Sequence, residues 1–372
     1  MRIAQIVASL EVGGLERLAV DLAFEQKVAG HSPLIVCITR RGSLADEAER
    51  KGIPVFVLGK QPGFSPKAVW MLSRLLRRWQ IDLVHTHNAL IHHYGVLAAR
   101  LAGIRAVVNT QHGIGSLKVD RRLGRIFSLT MPLTGSVVFV SEQTRREYIS
   151  RRGMPERKTS TIRNGIPLAR FSEFRARPGL RFPKVVFGTV GRLVPAKDHL
   201  GLLDAFAQVK LRLPAAELRI AGEGPLHREI EARIQSLGLN EAVHLYGEIL
   251  DVPRFLADLD IFVLSSVTEA MPIAILEAMA VGLPIVSTRV GGISEVAPGK
   301  EVAEYSPPSD FQAMAEALLR VGNPDRMPSM GNAAAQHAAT MGLQRTWQAY
   351  EQLFLHLLDS AEARPTYRYA DN

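Results

Sequence analysis

Short runs of β-branched and aliphatic residues alternate with longer stretches of helical periodicity along nearly the whole chain, and few folds accept that alternation. A strand followed by a helix before the next strand can pair builds a parallel βαβ unit. In the first half the strand-like runs are 3–8, 33–38, 55–58, 83–87, 106–110, 137–140 and 159–162, with helical patterns at 15–29, 66–79 and 91–101. The periodicity breaks at 166–183 into a stretch rich in Pro and Arg. A second series then supplies strands at 185–190, 217–220, 242–246, 261–264 and 284–287. Its helices fall at 199–211, 226–237 and 272–281, and further helical segments at 310–321, 327–339 and 344–360 precede a polar tail.

A chain of 372 residues exceeds one ordinary core, and two domains of roughly 150–200 residues are the natural division. The expected fold is α/β, with two doubly wound domains facing one another across a cleft. Residues 1–166 form the first domain, 167–183 a linker and 184–342 the second domain, and a last helix at 343–361 packs back on the first domain. Ligands in such sheets bind beyond the carboxyl ends of the strands. Those ends carry Gly13-Gly14, His87, His112-Gly113, Ser141-Glu142 and Asn164-Gly165 in the first domain. In the second they carry Gly191-Arg192, Gly222-Glu223-Gly224, Gly247, Ser265 to Glu269 and Gly291-Gly292.

One acid stands out. Glu277 lies in a helix apolar on every face, introduced by Pro272 and ended by Gly282 and Pro284. A buried carboxylate needs donors, either a buried Arg or Lys or the hydroxyl pair of a ribose. Glu269 sits just before that helix, whose free N–H groups favour anions. Gly13-Gly14-Leu15-Glu16 opens the first helix and can bring N–H groups to phosphate, but it is not G-x-G-x-x-G. Arg192 and Lys197 lie in the loop after the second domain's first strand, where both could reach a diphosphate.

Taken in order, Gly191-Arg192-Leu193 with Lys197, Ala221-Gly222-Glu223-Gly224-Pro225, Glu269 with Glu277-Ala278-Met279-Ala280, and Gly291-Gly292 resemble a retaining glycosyltransferase of family 4. The resemblance covers nearly the whole chain and implies the GT-B architecture, two facing Rossmann-like domains. It implies that Glu269 contacts the transferred sugar, Glu277 holds the nucleotide ribose, and Arg192 and Lys197 hold the donor diphosphate. Gly13 and Gly14 would close on that diphosphate and His112 would stand beside the sugar. Backbone at Gly222, Glu223 and Gly224, with Ala270, Met271, Pro272 and Ile273, would complete the donor site. Ala270 stands where the family commonly has glycine, and residues 296–301 replace its usual Asp-Gly loop by a shorter connection.

The implied activity transfers a sugar from a nucleotide-diphosphate donor, UDP- or GDP-linked, to a glycan or lipid-linked saccharide. The associated role is bacterial surface or exopolysaccharide synthesis. No cofactor and no metal are expected. A nucleotide-sugar epimerase of the same fold is the enzymatic alternative, followed by a dinucleotide-dependent oxidoreductase and a sugar-binding module.

Asp258-Leu259-Asp260 spells D-x-D, but its place before a strand predicts a helix end and a strand start. His85, His87, His92 and His93 lack the Cys or spaced acids of a metal set. The net charge of +9 calls for an acidic partner. Basic residues cluster at 117–152, and Arg74, Arg77 and Arg78 follow helical spacing beside Trp70 and Trp79. An anionic membrane surface fits this better than nucleic acid, for which no binding signature is present. No apolar run reaches the roughly 18–20 residues that span a bilayer. The start reads as a strand, and the single Cys37 as a buried thiol of a reducing compartment. The expected location is the cytoplasm, with the basic surface suited to the inner face of a membrane.

Overall fold

The computed structural model describes residues 1–113, 121–176 and 184–362. Residues 114–120, 177–183 and 363–372 lie outside the described residues, as do the side chains of Arg121, Arg122, Arg152, Ala361 and Glu362.

Two all-parallel sheets carry the molecule. The first is built from β1 (Arg2–Val7), β2 (Ser32–Cys37), β3 (Val55–Val57), β4 (Leu83–His87), β5 (Ala106–Gln111), β6 (Ser136–Phe139) and β7 (Thr159–Thr161). Its spatial order is β3-β2-β1-β4-β5-β6-β7. The second contains β8 (Val186–Val190), β9 (Glu217–Ala221), β10 (Val243–Leu245), β11 (Ile261–Leu264), β12 (Ile285–Thr288) and β13 (Ala303–Ser306), in the order β10-β9-β8-β11-β12-β13. Each order reverses beside its first strand, at β1/β4 and at β8/β11. A crevice opens at such a switch point, beyond the strand ends.

Residue alternation assigns the faces of the first sheet. Ala4 and Ile6 pack with Leu72, Leu76 and Val96 on one side. Ile3, Leu83, Ala106 and Val108 face Trp347, Tyr350 and Phe354 on the other. Those last three belong to the helix Leu343–Glu362, the final element, which therefore lies on the first sheet. The chain reaches it beside its own earlier crossing: Leu343 N–H donates to Ile166 C=O at 2.9 Å, and Ile166 N–H to Met341 C=O at 3.2 Å. Cys37 is buried in the core, where burial pushes its thiol up to about 12.

Candidate active site between the two sheets

The second sheet supplies a wall of loops pressed closely together. Gly222 has φ +142°, and a Cβ there would overlap the carbonyl oxygen of Gly191. Gly291, at φ +53°, would likewise strike the carbonyl of Glu269. Only glycine lets these strand ends meet without displacing one another. From the loop after β8, Lys197 Nζ reaches Glu269 Oε1 at 2.5 Å, and Ser266 Oγ donates to the same oxygen at 2.7 Å. Both donors converge on Oε1, so Oε2 stays open among the described residues. Arg192 is exposed, and its guanidinium makes no hydrogen bond or ion pair among them.

Glu277 occupies the helix Ile273–Ala280, one turn and a little more from its start. It is only 8% exposed and has no hydrogen-bond or ion-pair partner among the described residues. Burial pushes its carboxyl up to about 7, opposed by the positive fields of Arg170 and Arg17. Pro272 is the N-cap of this helix and brings no side-chain cap, leaving first-turn N–H groups open. Met271 C=O accepts from Asn164 Nδ2 at 3.1 Å, which ties the start of the helix to the first domain. Ala270 is buried, and its C=O accepts from Gly292 N–H at 2.8 Å. The Glu223 side chain lies 3.2 Å from His227 through one oxygen and borders Gly247 with the other, and its C=O accepts from Leu193 N–H at 2.9 Å.

The opposite wall comes from the first sheet. Gly13 is the extended N-cap of the helix Gly14–Val28, without a side-chain cap. A Cβ at Gly14 would lie 3.6 Å from Ile273, so the two helices meet where the sheets face each other. Glu16 folds back over Gly13; burial raises its carboxyl, opposed by its own N–H and by Arg192 across the gap. His112 leaves the end of β5, its N–H donating to Asn88 Oδ1 at 2.9 Å and its Nε2 lying 2.9 Å from His87 Nδ1. Burial pushes the His112 ring down to about 3, so it is neutral at ordinary pH.

Most of the remaining candidates have structural partners, while His93 packs against the rings of Phe64 and Tyr94. Asp260 Oδ2 accepts from Val186 N–H at 2.9 Å and Asp258 ends the helix Val252–Ala257. His85 bonds Thr110, and His92 bonds Thr86 and Thr134. Among the described residues no group of three or more His, Cys, Asp or Glu is placed to hold a metal ion.

Residues 12–170 match the model of Glycosyltransferase Family 4, and residues 184–323 that of Glycosyl transferases group 1. Together the two matches span most of the chain. It belongs to the group 1, family 4 glycosyltransferases. The chain is 28% identical, over 68% of its length and 70% of the relative's, to an Escherichia coli UDP-Gal:alpha-D-GlcNAc-diphosphoundecaprenol alpha-1,3-galactosyltransferase. It is 26% identical, over 84% of its length and 73% of the relative's, to the GPI3 subunit of the Saccharomyces cerevisiae phosphatidylinositol N-acetylglucosaminyltransferase. The fold is that of Anabaena Alr3699/HepE solved with UDP-glucose, with a TM-score of 0.84 at 23% identity over 97% of this chain and 100% of that one. The lipopolysaccharide glycosyltransferase WaaG shares it at a TM-score of 0.77 and 15% identity, over 95% and 99% of the two chains.

In this glycosyltransferase some residues at the cleft were not legible as site residues. Glu16 reads as an ordinary first-turn acid, and only its burial opposite Arg192 gives it a place in the site. Glu295 accepts from the N–H groups of Glu142 at 3.1 Å and Gln143 at 2.9 Å, bridging the domains. Asn88 holds the His112 backbone from a left-handed φ of +66°. The one sequence signal for Asn88 is its position after β4 at the switch point.

Proposed function

We propose that the cleft binds a nucleotide-diphosphate sugar, UDP- or GDP-linked, and transfers the sugar with retention of configuration and without a metal ion. The observation that carries this reading is Glu277, a buried carboxylate lacking any donor of its own at the foot of a helix N-terminus. Two ribose hydroxyls would supply the missing donors. Arg192, Lys197 and the first turns of Gly14–Val28 and Ile273–Ala280 supply positive potential for the leaving diphosphate. Glu269, with Oε2 still open, is placed for the sugar hydroxyls. Lys197 and Ser266 hold Glu269 through Oε1, its remaining oxygen is assigned to the sugar hydroxyls and Glu277 to the ribose, so neither carboxylate is given the part of a nucleophile. A same-face displacement fits: the acceptor oxygen bonds to the anomeric carbon as the bond to the diphosphate breaks, and the departing phosphate oxygen takes the acceptor's proton. The epimerase and oxidoreductase alternatives are not favoured, because the similar proteins are transferases and no G-x-G-x-x-G is present.

The acceptor we propose is a lipid-linked saccharide or growing glycan, the class named for the similar Escherichia coli enzyme. Such an acceptor requires approach to a membrane from the cytoplasmic side, and the helix Pro66–Arg78 has a suitable face. Trp70 is 55% exposed with Arg74 stacked 4.8 Å from its ring centre, and Arg77 and Arg78 are exposed at the end of the same helix, Arg77 donating to the Leu101 carbonyl. No helix of the described residues is long and apolar enough to cross a membrane. Basic residues near anionic headgroups contribute about 1 kcal/mol each. Incubation with UDP- and GDP-hexoses, EDTA and polyprenyl-diphosphate saccharides tests the whole reading. Transfer in EDTA giving a product of unchanged anomeric configuration supports it; an inverted product or a strict metal requirement overturns it.

A further inference from the structure

Beneath His112 lies a run of buried polar side chains that the donor site does not use. His87 Nε2 is 2.7 Å from Gln5 Oε1, and His87 Nδ1 is 2.9 Å from His112 Nε2. The His87 and His112 rings stack with centroids 5.1 Å apart at 25°. Gln5 and His87 are both almost inaccessible, at 0% and 2% exposed. The polar layer continues sideways, with His85 on Thr110 at 2.7 Å and Thr110 on Tyr350 of the last helix at 2.9 Å. Ordering so many polar groups in a core is costly unless their hydrogens are arranged one way.

The chemistry of the groups fixes that arrangement. An amide oxygen only accepts, so the hydrogen between Gln5 and His87 belongs to His87 Nε2. His87 is neutral, held well below the usual histidine range by burial and the adjoining rings of His85 and His112. A neutral imidazole has one N–H, so His87 Nδ1 can only accept. His112 Nε2 must therefore donate, and its Nδ1 is left as a bare lone pair. That atom is buried and without a partner among the described residues.

The backbone of His112 is fixed just as firmly. Asn88 accepts its N–H at 2.9 Å, and Asn109 Nδ2 donates to Asn88 C=O at 3.2 Å. Asn88 itself holds φ +66° and ψ 163°, a conformation nearly confined to glycine. Such a conformation is strained and persists where the surroundings over-determine it.

We propose that Gln5 and His87 are positioning residues that hold His112 as its Nε2–H tautomer, presenting Nδ1 as an acceptor for a hydroxyl of the transferred sugar. The tautomer stands on the relay alone; the identity of the hydroxyl rests on the donor-site reading above. The hydrogen bond made by one ring nitrogen decides what the other can bind, as it does for histidines at metal sites.

Protein labelled with 15N-histidine reports the tautomer directly through long-range 1H–15N spectra, with His112→Ala assigning the signals. Wild type should show His112 Nε2 protonated and Nδ1 bare. Gln5→Glu, which retains a pure acceptor, should preserve that pattern. Gln5→Met and His87→Phe should let the two nitrogens average, shrinking their separation by about half or more. A protonated Nδ1 in wild type, or a pattern unmoved in His87→Phe, would overturn the proposal. Whichever of UDP and GDP binds wild type, which we place on the second-domain wall, should bind His87→Phe within about two-fold of wild type, showing that the variant is folded. Absence of binding of both UDP and GDP to wild type would count against the donor site and leave the tautomer result standing.

Discussion

At Glu277 the free protein holds a carboxyl pushed by burial from its ordinary 4.5 up to about 7. Between those values the folded state binds the extra proton, so stability is lost as pH rises through that window and does not return above it. Glu277→Gln removes the charge and should raise stability at pH 8 by on the order of 1–3 kcal/mol, read by thermal or denaturant unfolding. The same variant should bind nucleoside diphosphate more weakly, an activity-for-stability exchange common at binding sites. Lys197 has a double part. It pairs with Glu269, and under the proposed function it serves the leaving phosphate as well. Lys197→Ala should lower kcat by about 10²–10³ with a much smaller change in donor KM; a raised KM with kcat unchanged would assign it to ground-state binding instead. Legibility at this scale followed chemistry. Glu277 and Lys197 were readable because a lone acid in an apolar helix and a cation in a strand-end loop contradict their surroundings. His87 was readable as a strand-end residue but not as a partner of His112, and Gln5 was not readable, because a polar residue inside a buried strand looks the same whether it is satisfied locally or aimed at a site.

The elements were legible where burial imposed a period. β1, β4 and β5 are buried almost throughout, and the apolar residues that begin or fill them mark them as strands. β13, Ala303–Ser306, was missed because it is a polar edge strand held by its pairing with β12. The helices Leu44–Arg50 and Glu142–Arg152 were missed as well, the first short and acid-rich, the second charged along most of its length. That second helix shows why such an element still matters. Glu295 from the other domain accepts its first N–H groups and also meets Arg163 at 3.4 Å. A carboxylate at a helix N-terminus contributes about 0.3–1 kcal/mol, more where partly buried. Glu295→Ala should therefore loosen the closed arrangement, and small-angle scattering of the unliganded protein should show a larger radius of gyration than wild type. An unchanged radius would mean that the apolar contacts around Met271 and Ile166 close the domains unaided.

Across the whole molecule, acid should be the weak side. Burial pushes His85, His92 and His112 down to about 3 and His199 to about 4, and holds His87 well below 6.5. Below pH 6.5 the unfolded chain takes up protons that the folded one refuses, so stability falls as pH drops, by up to about 1.4 kcal/mol per unit for each such histidine. Unfolding midpoints in denaturant should shift downward steeply between pH 6.5 and 5, and a flat profile there would contradict the neutral buried rings. The two-sheet plan was legible because its alternation runs the full length of the chain. The way the last helix reaches back to seat Tyr350 against the first sheet depends on packing between distant segments, which local periodicity only hints at. The central claim is that this cleft takes a nucleotide through Glu277. Calorimetric titration with UDP and GDP in EDTA at pH 7, in two buffers of different ionisation enthalpy, tests it most directly. One of the two should bind wild type with release of about half a proton, because ribose hydroxyls donating to Glu277 lower its pKa; Glu277→Gln should bind more weakly and lose that release. No binding by either nucleotide, or equal affinity and equal proton release in the variant, would contradict the account.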